Sequence, residues 1–171
     1  MTHESTPCES TRSLRALLAD YPKLISTLSR FGIPLGFGDK SVKLVCGEAG
    51  VDADTFLAVV NCLTSVRPEP DINSVRIPAL LDYLRNSHRF FLEFVLPRIR
   101  RNLIEAISAG VEGELPMMIM KFFDGFTDEV RAHMAQEEAD VFSAIDDILA
   151  GTPRQGFTIC LLYTSPSPRD S

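Results

Sequence analysis

Two long helical patterns separated by a short turn constrain this chain more than anything else in it. Residues 77–109 and 117–149 keep apolar side chains at three- and four-residue spacing over about 33 residues each, roughly 50 Å of helix. Between them stands Gly110-Val111-Glu112-Gly113-Glu114-Leu115-Pro116, a run of turn formers. Helices of that length joined by so short a turn fold back as an antiparallel hairpin. No segment sustains the apolar-polar alternation of a half-buried strand, so the expected class is all-α. A hairpin cannot bury two wide apolar stripes alone, and four helices are the ordinary solution. The expectation is therefore a small N-terminal helical module followed by the first antiparallel helix pair of an incomplete four-helix bundle.

The stripes are interrupted in an informative way. One reads Leu81, Leu84, His88, Phe91, Leu92 and Val95, and the other Phe126, Val130, His133, Glu137, Val141, Ala144 and Ile148. His133 and Glu137 stand one turn apart, so both heads point the same way. A carboxylate buried without a partner costs several kcal/mol, and must be protonated, paired or metal-bound. A lone histidine on an apolar stripe is more often a hydrogen-bonded core residue, and a lone glutamate there is often ion-paired or partly exposed. Three ligand-type residues on two adjacent faces is the pattern by which helical bundles build metal sites. His88, His133 and Glu137 are thus the candidate metal ligands, with no catalytic residue assigned. Imidazole with carboxylate suits iron, manganese or zinc. Tyr83, Glu93, Asp140 and Asp147 flank the stripes and are expected in solvent. Phe90, Phe91, Phe94, Phe122, Phe123 and Phe126 are expected in the core.

Upstream, residues 1–12 are polar and expected to fray. Residues 13–64 form the N-terminal module: Ser13 caps a helix that Pro22 interrupts, Phe31–Lys40 is a loop, Ser41 caps a short helix ended by Gly47 and Gly50, and Asp52 caps a third. Residues 65–76, with Pro68 and Pro70, make a linker, and 77–159 the helical hairpin domain. Pro97 removes a backbone donor and should kink the first long helix near Phe94. Gly151 should stop the second, with Pro153 following.

A net charge of -6 argues against non-specific nucleic-acid binding. Arg98, Arg100 and Arg101 read as a solvated helix face. No run approaches a membrane span, and Met1–Pro7 has neither the basic nor the apolar region of a secretory signal. Cys8, Cys46 and Cys62 form no C-x-x-C pair, and the latter two read as small core residues. A reducing cytoplasm fits them.

The end of the chain reads differently. Cys160-Leu161-Leu162-Tyr163-Thr164-Ser165-Pro166-Ser167-Pro168-Arg169-Asp170 can be encoded, codon for codon, by a transposon-end adapter used in sequencing libraries. The expectation is that residues 160–171 are adapter read-through and that the natural protein continues past Ile159. The alternative is a Ser/Pro-rich tail.

Ser87-His88, the downstream Leu96-Pro97, and His133-x-x-x-Glu137-Glu138 followed by Val141-Phe142 resemble the first half of a hemerythrin-like (HHE, cation-binding) domain. In particular they resemble the bacterial repair-of-iron-centres proteins, in which a small helical module precedes the four-helix domain. The resemblance covers residues 77–149 and, more loosely, 14–64. It implies a non-haem di-iron centre in the full-length protein, with His88 and His133 as terminal ligands, Glu137 bridging, and further ligands from a second helix pair. It also implies O2 or NO as small ligands, or iron handling in oxidative or nitrosative stress and iron-centre repair, by a protein that binds rather than catalyses. The family's adjacent cysteines before a glycine are absent: the corresponding stretch is Leu35–Lys40, without a thiol. The competing expectation is a metal-free helical interaction or regulatory module. Either way, the unmatched apolar faces should make the 171-residue chain self-associate.

Overall fold

The structure, a computed structural model, describes residues 8–64, 72–110 and 113–152. The expectations for residues 1–7, for linker residues 65–71 and for the 160–171 tail lie outside the described residues. Among the described residues every regular element is helical, and the one β-type pairing is an isolated bridge between Ser13 and Ser41. The fold is all-α. The chain divides into two compact units between Phe90 and Phe91.

The first unit opens with α1 (Leu14–Asp20), a 3-10 turn (Pro22–Leu24) and α2 (Ile25–Arg30). Pro22 makes the break: its ring excludes the residue before it from helical dihedrals, and Tyr21 sits at φ -129°, ψ 72°. After the glycine-rich loop come α3 (Val42–Glu48) and α4 (Ala53–Leu63). Gly50, at φ 68°, lets the chain turn out of α3 while Val51 N–H reaches back to the Cys46 carbonyl at 2.8 Å. Leu14, Leu17, Leu28, Val42, Cys46, Phe56 and Val60 close into one core.

Three expectations need correction here. Ser13 makes no side-chain cap. Its backbone instead runs beside Ser41, with Leu14 N–H on the Lys40 carbonyl at 3.0 Å and Val42 N–H on the Arg12 carbonyl at 2.9 Å. Residues 8–12 are consequently packed, not frayed: Cys8 is buried and its N–H donates to Asn61 Oδ1 at 2.8 Å. Cys62 is exposed, because it lies more than half a turn around α4 from the buried Val60. Burial pushes the thiols of Cys8 and Cys46 up, the latter to about 11, so both stay protonated near neutrality.

Ser41 and Asp52 cap as expected. Ser41 Oγ accepts from Leu44 N–H at 3.4 Å, and Asp52 Oδ1 accepts from Thr55 N–H at 2.9 Å and Thr55 Oγ1 at 2.6 Å. Burial works to raise the Asp52 pKa, but the two Thr55 hydrogen bonds and the charge of Arg76 outweigh it and leave the carboxyl below its ordinary value. A depressed folded pKa contributes stability that is present above the unfolded value of about 3.9 and is lost as pH falls through the folded one. Asp52→Ala should cost about 1 kcal/mol at neutral pH. It should also flatten the acid limb of the stability profile, as urea melts across pH would show.

The helix α5 (Ile77–Phe90) packs on this module. Tyr83, expected in solvent, is buried: its ring stacks on Phe31 at 4.4 Å between centroids, under the Arg30 guanidinium at 5.0 Å. Asn86 Nδ2 donates to the Arg30 carbonyl at 2.9 Å, and Arg76 N–H to Thr55 Oγ1 at 2.9 Å.

The second unit begins with a π turn (Phe91–Val95), then α6 (Leu96–Ser108), α7 (Leu115–Glu137), a second π turn (Glu138–Phe142) and α8 (Ser143–Leu149). The first π turn falls where Pro97 was expected to disturb the helix. Pro97 has no N–H to give and its ring crowds the Glu93 carbonyl, and a widened turn accommodates both. Arg100 and Asp124, about equally far from the connecting turn, pair through Nε–Oδ1 at 2.9 Å and Nη2–Oδ2 at 3.2 Å, as antiparallel neighbours do. Gly151, at φ 75°, ends α8 as expected, with Thr152 N–H on the Asp147 carbonyl at 2.8 Å.

Candidate metal centre

His88 lies in the last turn of α5 and is half-buried. His133 lies on α7 and is exposed, and Glu137, the last residue of α7, is half-buried. Helical register brings His133 and Glu137 to neighbouring positions on one side of α7. His88 belongs to the first compact unit, and the other two to the second.

The stripe that carries His133 was expected to face a core, and three of its seven members, His133 among them, do not: Phe126, His133 and Ile148 are exposed, Val130, Glu137 and Val141 are half-buried, and Ala144 is buried. The half-buried side of α7 includes Ile119, Met120, Phe123, Asp124, Thr127, Val130, Met134 and Glu137, and so carries the partner of Arg100. Phe122, Phe126 and His133 are rotated off that side into solvent, and Ile148 is exposed as well. Phe94 is likewise exposed, and Phe90, Phe91 and Phe123 are only half-buried, so none of the six phenylalanines expected in a core is fully enclosed. The period of α7 was legible. Its packed side is narrower than its apolar side, because one neighbouring helix covers only part of the circumference.

Both long helical stretches depart from α geometry beside a candidate ligand. A π turn starts three residues after His88, and another starts immediately after Glu137. Single π turns inside α-helices are frequent at functional sites. Sequence periodicity does not reveal them, since one widened turn shifts the register by a single residue.

Residues 132–152 include Glu137, Glu138, Asp140, Asp146 and Asp147 and no lysine or arginine. By donor type, two imidazoles and a carboxylate suit iron, manganese or zinc. By number they do not complete a shell. Among the described residues no group of three or more His, Cys, Asp or Glu is placed to hold a metal ion. No helix among the described residues is long and apolar enough to cross a membrane.

No family model, curated protein or solved structure matches the chain.

Proposed function

We propose that this chain belongs to a cytoplasmic, hemerythrin-like metal-binding protein whose centre is a non-haem di-iron site. His88 and His133 are its nitrogen ligands and Glu137 its bridging carboxylate, with the remaining ligands supplied from outside the described residues. Bound iron would supply the capacity to take up O2 or NO, which suits a role in oxidative or nitrosative stress or in iron handling and repair, by binding more than by catalysis. Iron itself, rather than manganese or zinc, rests on the resemblance of the His133-x-x-x-Glu137-Glu138 run. The observation that carries the reading is the His133–Glu137 pair on one side of α7, with the helix widening into a π turn at the next residue. The acidic, cation-free stretch that follows supports it.

One observation favours a second reading, a metal-free helical interaction or regulatory module. His133 is exposed, and so are Phe122 and Phe126 upstream of it on α7.

The test uses the product of the natural gene, its frame read from genomic DNA across the Ile159 codon. His133→Ala and Glu137→Ala should each lose bound metal in elemental analysis while keeping the far-ultraviolet helical signal. Variants that keep full metal content would remove these residues from the site. A second helix pair with apolar residues at every inward position would favour the metal-free module.

A further inference from the structure

None of the 23 residues of α7 is buried, although the helix is rich in methionine and phenylalanine. Leu115 is 57% exposed, Met118 65%, Phe122 78% and Phe126 43%. Spacings of three, four and four place them on one stripe, separate from the half-buried side that carries Asp124. With about 150–250 Å² of surface per large side chain, the four leave about 450 Å² of contiguous apolar surface. That is at the upper end for a monomer, where the largest patch is commonly functional. A stable interface takes about 800 Å² per partner. The stripe supplies the apolar centre of such an area, with Lys121 and Asp128 as a polar rim at its side and Glu129 and Gln136 as a polar end beyond Phe126.

Gly125 carries a second, independent observation. It stands in the middle of α7, where glycine is unfavourable relative to alanine, and a Cβ built there meets nothing within 4 Å. Packing among the described residues therefore does not require a glycine at this place. It lies beside Phe122 on the exposed side, and Ala132 repeats the small side chain two turns further on. Small residues at that spacing let another helix approach closely.

Charge decides the occupant. Lys121 stands four residues before Gly125 and Glu129 four residues after it. A second copy lying antiparallel across Gly125 brings Lys121 of each copy to Glu129 of the other and opposes the helix dipoles favourably. A parallel copy would set Lys121 against Lys121 and Glu129 against Glu129. We propose that α7 is an isologous interface through which two copies of this 171-residue chain pair antiparallel about Gly125, with Phe122 of each beside Phe126 of the other. The pairing does not rest on the metal reading and needs no metal.

The test is sedimentation equilibrium of the full 171-residue chain, with chelator to exclude metal and reductant to keep the exposed Cys62 from cross-linking. The expected mass is twice 18.9 kDa. Phe122→Glu, a change at an exposed position, should raise the dissociation constant by roughly thirtyfold or more while leaving the circular dichroism spectrum unchanged. Gly125→Leu should weaken the dimer likewise, since the single chain has room for the side chain. Lys121→Glu and Glu129→Lys should each weaken it and the double variant restore it. A monomer at all concentrations, polydisperse aggregates, a dimer indifferent to Phe122→Glu and Gly125→Leu, or a charge swap that fails to restore pairing would each overturn the proposal.

Discussion

Phe56→Ala should bring the N-terminal unit close to unfolding, with a loss of about 3–5 kcal/mol. Phe56 is fully enclosed, and its ring meets Phe31 edge to face at 5.2 Å. Leu14, Leu17, Leu28, Val42 and Val60 belong to the same core. Those side chains come from four different helices and cannot all collapse into the space a phenyl ring leaves, so a cavity term adds to the lost transfer energy. Small domains are stable by only about 0.05–0.15 kcal/mol per residue, so the loss removes much of what a unit this size has. Urea melts followed by circular dichroism should show the first transition moved to low denaturant or absent. A midpoint equal to that of the unsubstituted chain would contradict the assignment of this core.

Tyr83→Ala should have the second-largest effect, about 3 kcal/mol, and should release α5 from the module. The ring is stacked on Phe31 with 24° between planes, and the Arg30 guanidinium lies within cation–π range of it. The substitution removes the ring from a nearly enclosed place and leaves Phe31 with one aromatic neighbour in place of two. Tyr83→Phe should keep most of the stability, because the stacking survives. A double-mutant cycle with Phe31→Leu should return a coupling of about 0.5–1.5 kcal/mol. A Tyr83→Ala chain as stable as its parent would mean that α5 is not held by this stack.

The helices of this chain were legible because their signals are local. Pro22, Ser41, Asp52, Gly50 and Gly151 each act within one turn, and each does in the structure what its chemistry dictates. What escaped the sequence depends on contacts between segments far apart in it. Cys8 looks like part of a polar terminus until Asn61, on α4, takes its backbone N–H. Tyr83 flanks its stripe and looks solvated until the loop after α2 presents Phe31 to it. On α7 the periodicity marks every apolar position but cannot say how much of the circumference a neighbour will cover, and His133 fell on the uncovered part. The candidate ligands were legible as residue types at a suggestive spacing. The π turns beside them were not, since a single-residue change of register leaves no mark in composition or period.

The central claim, that His88, His133 and Glu137 belong to a metal centre, is tested most directly by anaerobic titration of the natural gene product with ferrous iron, followed by desalting and iron analysis. The account predicts about two tightly held irons per chain, as in carboxylate-bridged helical bundles. It also predicts that the Glu137→Ala variant retains fewer. A full-length, folded, unsubstituted protein that binds no iron would contradict it.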